Sequence, residues 1–223
     1  MSRAIPQLLD SVSRELKALE IARQRYAKQL APNFSVFDYI YTDEIMLSKI
    51  IADLLNPYGE HAQGSLFLSL FLKQLTLNET WENIDLGYAK ITVQTEKLTA
   101  ENRRMDIYIH IQTKEQSFGI CIENKPFAAD GNKQLIDYAT EMKRLHRQNW
   151  HIVYLSGYGN QPAEYSVSTE NLELWKENQQ FSQINSPNLI NWLKQALTEC
   201  QNDKVIYFIK EFKHYIEKEF LSM

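Results

Sequence analysis

The chain has 223 residues, 44% of them hydrophobic and 23% charged, which suits one α/β domain of ample core, with room at most for a helical attachment. Its net charge of −4 argues weakly against a nucleic-acid partner, since a non-specific binder shows a stronger basic stripe. With no run of 18 apolar residues and no basic-apolar-small leader, a cytoplasmic protein with no membrane partner is expected.

Residues 2–30 read as a helix with Leu8, Leu9, Val12, Leu16, Leu19 and Ile21 on an apolar stripe, broken at Ala31-Pro32-Asn33. A second helix begins near Thr42 or Asp43, either of which can cap it, and runs to Leu55 before Asn56-Pro57 and Gly59. A third spans Gly64 to Leu75. Ala89 to Leu98 reads as a strand, followed by Met105–Ile111 and Phe118–Lys125. Those last two alternate cleanly, with Ile107, Ile109 and Ile111 sharing one face, and the short polar stretch Gln112–Ser117 joins them as an antiparallel hairpin. Gly131–Arg147 is an amphipathic helix, His151–Ser156 a fourth strand, and 160–180 a loop or excursion. Helices near Pro187–Leu197 and Asp203–Leu221 close the chain. The order implies an α/β core with a mixed sheet of four strands or slightly more, flanked by helices, within a single domain 1–223. Residues 1–35 form a helical extension to it, 36–157 its core and 158–223 a C-terminal helical part. The unit from strand 118–125 through the helix to strand 151–156 is a βαβ crossover, with ligand chemistry expected at the strand ends away from the hairpin turn.

At that end an acid opening one strand, Asp106, lies across from Glu123 and Lys125 closing its neighbour. Two carboxylates and an ammonium converging there suit a hard divalent cation. A solvated ion pair is the plain alternative, because strand ends commonly emerge into water. Against it stands the apolar run Ile120-Cys121-Ile122, after which a charge must be paired or metal-bound. Asp130 is a further acid in this region. Arg103, Arg104, Lys133, Lys143, Arg144 and Arg147 supply a modestly basic rim or solvated faces. Cys121 and Cys200 sit in no ligand spacing and are expected to be free thiols.

These residues carry a resemblance. Asp106, then Glu123-x-Lys125, then Gln134-Leu135-x-x-Tyr138 resembles the PD-(D/E)XK nuclease superfamily. More narrowly, the chain is similar to a bacterial family with a Glu-x-x-His-Ser helix, Leu-Leu-Asp-Pro, a His-Gly loop, Arg-x-Asp-Ile and Ile-Glu-Asn-Lys. Here these read Glu44-Ile-Met-Leu47-Ser48, Leu54-Leu55-Asn56-Pro57, Glu60-His61-Ala62-Gln63-Gly64, Arg104-Met105-Asp106-Ile107 and Ile122-Glu123-Asn124-Lys125. The likeness covers roughly 36–157, and it departs at Leu47, where the family has His, and at Asn56, where it has Asp. Neither change removes an expected metal ligand.

The resemblance implies a restriction-endonuclease-like core and metal-dependent hydrolysis of phosphodiesters in nucleic acid, with DNA the expected partner. Asp106 and Glu123 would hold Mg²⁺, for which Mn²⁺ substitutes, with the Asn124 carbonyl as a third oxygen and Glu44 as an additional ligand. Lys125 would orient the attacking water or stabilise the transition state. Gln134 and Tyr138, four apart on one helix face, would flank the site, although Tyr138 also suits a core aromatic. Glu96 and Arg104 are weaker substrate contacts, His61 a loop histidine that could approach substrate, and His110 a structural one. The other reading is a fold that has lost catalysis and binds nucleic acid or protein. Cutting both strands of a duplex favours two sites, so a homodimer is an expectation, with the terminal helices as candidate contact surfaces.

Overall fold

The computed structural model describes residues 4–31 and 34–221 and divides into a helical unit up to Ile40 and a larger unit from Tyr41 onward. In the first, α1 (Ala4–Arg25) and α2 (Ala27–Leu30) precede a short 3₁₀ turn at Val36–Asp38. The stripe Leu8, Leu9, Val12, Leu16, Leu19 and Ile21 is exposed along α1.

The larger unit holds a five-stranded sheet in sequential order, β1 (Lys90–Leu98), β2 (Arg104–Gln112), β3 (Ser117–Lys125), β4 (Trp150–Ser156) and β5 (Phe181–Asn185). The first three pair antiparallel and the last three parallel, so β3 is the strand at which the sheet changes sense. Two-residue periodicity sets its two faces. Tyr108, Cys121, Ile152 and Tyr154 meet Leu135, Tyr138 and Met142 of α6 (Gln134–His146), while Trp150 packs edge-on against Trp175 of α7 (Thr169–Glu177). The opposite face, with Ile107, Ile109, Ile120 and Ile122 fully buried, receives α3 (Glu44–Leu55). Beside it pack α4 (Leu66–Leu72), α8 (Ser186–Glu199) and α9 (Asp203–Leu221), pinned in part by the Trp192 indole N–H donating to the Phe67 carbonyl at 2.9 Å. The remaining short helix is α5 (Glu79–Glu82).

Local chemistry explains several boundaries. Asp43 caps α3 by accepting the Met46 amide at 2.8 Å, leaving Glu44 in the first turn, where the helix dipole favours an acid. At the other end Asn56 accepts the Tyr58 amide at 3.1 Å, a turn bond that an aspartate makes equally well. The excursion expected over 160–180 contains α7, capped by Ser168, and a fifth strand follows it. α4 is shorter than the stretch 64–75, because Ser65 gives no side-chain cap and the backbone turns at Lys73.

Candidate active site

The register that brings Ile107 opposite Ile122 sets Asp106, one residue back, beside Glu123, one residue on. Both carboxylates are buried, and so is Lys125 at the end of β3. The Lys125 Nζ lies 2.6 Å from Glu123 Oε1 and 3.0 Å from Glu44 Oε1, so the first turn of α3 meets the end of β3 through this ammonium. A second tie is the Asn124 side-chain amide, which donates to Ser48 Oγ at 3.0 Å and to the Glu44 carbonyl at 3.4 Å. The Asn124 backbone N–H donates to Asp106 Oδ2 at 2.7 Å.

From the other side of the sheet α6 delivers Gln134 and Tyr138. The Gln134 amide donates to Glu123 Oε1 at 2.5 Å and to the Tyr138 hydroxyl at 3.0 Å, and its carbonyl oxygen accepts the Gly131 amide. Tyr138 in turn donates its hydroxyl hydrogen to the Arg104 carbonyl, tying α6 to the start of β2. Glu123 Oε1 therefore accepts from two donors. Glu123 Oε2 is buried with no hydrogen-bond partner.

Electrostatics follow from this crowding. Burial pushes Asp106 up to about 6, against the pull of Lys125 and the Asn124 amide. Burial and then Asp106 push Glu123 up to about 8, although Lys125 works the other way. Burial also opposes the Lys125 charge, but Glu123, Asp106 and Glu44 outweigh it and hold its pKa above the ordinary lysine value. Two carboxyls raised by burial beside one ammonium form a site short of positive charge, and an unpartnered buried carboxylate oxygen costs free energy until something occupies it. The residues fit a hard divalent cation on both counts. Among the described residues no three His, Cys, Asp or Glu side chains form a metal-holding group by themselves.

The other residues singled out in the sequence separate into near and far. Glu96 lies across from Asp106 in the β1–β2 register, at a positive φ of 54° that interrupts the pairing, and contributes to raising Asp106. Its carboxylate meets Arg104 at 3.4 Å on the exposed rim. Of the basic rim, Arg103 is bound to Asp137 at 2.9 Å and Arg144 to Glu141 at 2.7 Å. Asp130 accepts from the Tyr154 hydroxyl and the Ala163 amide, which fixes the loop ahead of α6. His61 is not a surface histidine: it is buried, bonds the Asn56 carbonyl at 2.9 Å and packs on Phe67. His110 meets Ser117 in a chain with His146 and Tyr108, a structural network on the α6 face. Ser48 escaped the sequence reading as a partner of Asn124, although it stands in the quoted Glu-x-x-x-Ser stretch. Cys121 and Cys200 are free and buried.

A mixed sheet flanked by helices, with paired carboxylates at one sheet end, is consistent with a restriction-endonuclease-like fold. The chain belongs to a family of the PD-(D/E)XK nuclease superfamily, whose family model matches residues 34–221. That span runs from ahead of α3 to the end of α9 and takes in every side chain of the cluster. No curated protein matches the chain. No described helix is long and apolar enough to cross a membrane.

Proposed function

We propose that this protein hydrolyses phosphodiester bonds in DNA, using Mg²⁺ held by Asp106 and Glu123, with Mn²⁺ as an effective substitute. The observation that carries the reading is the unpartnered Glu123 Oε2, buried beside Asp106 in a site short of positive charge. The Asn124 carbonyl supplies a further oxygen, while Glu44 stands at the rim paired with Lys125 and would join as an additional ligand. A bound divalent cation supplies positive charge to the phosphate and lowers the pKa of a water.

The chain's own residues do the rest. Lys125 presents a compact charge beside Glu123, placed to orient a nucleophilic water or to meet charge building on phosphate oxygens. Gln134 holds Glu123 Oε1 in place, and Tyr138 fixes Gln134 against the start of β2. Arg104 and Glu96, at the exposed rim, are the substrate-facing pair.

The test is cleavage of supercoiled plasmid and of single-stranded DNA in Mg²⁺ or Mn²⁺, wild type beside Lys125→Ala. Cleavage abolished by EDTA and by the substitution supports the reading. Cleavage that survives Lys125→Ala removes the assigned site. If neither DNA is cut and Mn²⁺ does not bind by calorimetry, a catalytically inactive binding module replaces it.

A further inference from the structure

Just past the end of the sheet that carries Lys125 stand two aromatic rings that the chemistry above does not use. Lys125 pairs with Ser156 across β3 and β4, and the Gly157 amide donates to the Lys125 carbonyl. Phe127 lies two residues beyond Lys125, and Tyr158 two residues beyond Ser156, so both rings leave the sheet at the candidate site's own edge. Phe127 is 50% exposed and Tyr158 46%.

These rings are braced. Phe220 of α9, itself 7% exposed, stacks on Phe127 with centroids 5.5 Å apart and meets Tyr158 edge-on at 5.3 Å. It can do so because residue 157 is glycine: a Cβ there would lie 2.4 Å from the Phe220 ring. One buried ring thus supports two half-exposed ones, a supported apolar surface and not two isolated surface aromatics.

Charge selects the occupant. Duplex binding rests mainly on neutralising phosphates, yet the chain carries a net charge of −4, and Arg103 and Arg144 of its basic rim are already engaged by Asp137 and Glu141. Single strands need phosphate contacts too, but they add stacking of exposed base faces on aromatic side chains, an interaction indifferent to base identity that lessens the share carried by charge. In a duplex those faces are covered by neighbouring base pairs. Resting on the phosphodiesterase reading, we infer that Phe127 and Tyr158 form a stacking platform for unpaired bases next to the scissile phosphate, which makes single-stranded DNA the preferred substrate.

The experiment measures anisotropy of labelled single-stranded and duplex oligonucleotides of equal length in Ca²⁺, with the full chain and with Phe127→Ala, Tyr158→Ala and Phe127→Trp. The expected result is tighter binding of the single strand, weakened about 5- to 150-fold by either alanine and retained by tryptophan, with duplex binding unmoved. Circular dichroism melts confirm that each variant is folded. Equal binding of both DNA forms, or alanine variants that bind the single strand like wild type, would overturn the platform. So would self-association lost on Phe127→Ala in sedimentation, which would make the rings a protein contact. Mg²⁺-dependent cleavage by the same proteins separates the two claims. Cleavage that needs Asp106 but is indifferent to Phe127 sinks only the platform, whereas aromatic-dependent binding without cleavage sinks only the nuclease reading.

Discussion

Replacing Lys125 by Met keeps the stem of the side chain and deletes its charge. The lost ammonium has two contacts of unequal weight. The one to Glu44, whose side chain is 28% exposed, is partly screened by water and contributes at most about 1 kcal/mol. The one to Glu123 joins a side chain 7% exposed to one that is fully buried, and removing one partner of such a pair costs roughly 3–5 kcal/mol. Glu123, already raised to about 8, rises further in the variant. A carboxyl whose folded pKa exceeds its unfolded value favours the fold below the unfolded value, and that stability is lost as pH climbs through the folded one. The penalty of Lys125→Met is therefore largest at pH 8.5 and shrinks toward pH 6. Thermal unfolding in EDTA at both pH values measures it, with a fall in melting temperature of about 10 °C expected at the higher pH. Adding Mg²⁺ at 100 times its dissociation constant adds about 2.7 kcal/mol to either protein by mass action. Activity stays lost. A variant as stable as wild type at pH 8.5 in EDTA, or one that cuts DNA normally, would refute the argument.

Other expectations concern the supports of the site. Tyr138→Phe removes the hydroxyl that joins Gln134 to the Arg104 carbonyl, and activity or metal affinity should fall about 10- to 100-fold with the melting temperature little changed; unchanged metal affinity and rate would leave Tyr138 a core aromatic only. His151, buried between the Gln179 carbonyl and Ser182 Oγ, is held down to about 4 by burial, against the pull of its Gln179 bond. A depressed histidine contributes stability above its unfolded pKa near 6.5 and loses it as pH falls toward 4, here on the order of 3 kcal/mol. Urea midpoints from pH 7 to 4.5 should therefore decline more steeply in wild type than in His151→Gln. Asp106 and Glu123 act in the opposite sense, so the comparison is between the two slopes. Parallel slopes would remove the histidine from the account.

Most of the sheet was legible because a buried strand needs alternation and a hairpin needs a polar turn, and residues 105–125 carry both. The pairing that joins Asp106 to Glu123 followed from that register alone. β5 was missed for a physical reason: Phe181-Ser182-Gln183-Ile184-Asn185 has two apolar residues and no alternation, and its neighbour β4 and helix α8 supply the burial. α7 reads as polar because only Leu172 and Trp175 anchor it. At the site, Gln134 and Tyr138 were legible as a pair by their spacing. Their bonds to Glu123 and to the Arg104 carbonyl are not, since tertiary packing alone chooses those partners. Ser48 and Asn124 stand 76 residues apart, and no local pattern joins them. The stripe on α1 shows the limit of periodicity, which marks an apolar face without naming what covers it.

The most direct measurement is single-turnover cleavage of single-stranded DNA in Mg²⁺ by wild type and Asp106→Asn, with Mn²⁺ affinity of both by calorimetry. The substitution keeps an oxygen able to accept the Asn124 amide and deletes the charge, so the fold should survive. Weakened Mn²⁺ binding together with loss of cleavage is expected. Cleavage and Mn²⁺ binding equal to wild type would contradict it.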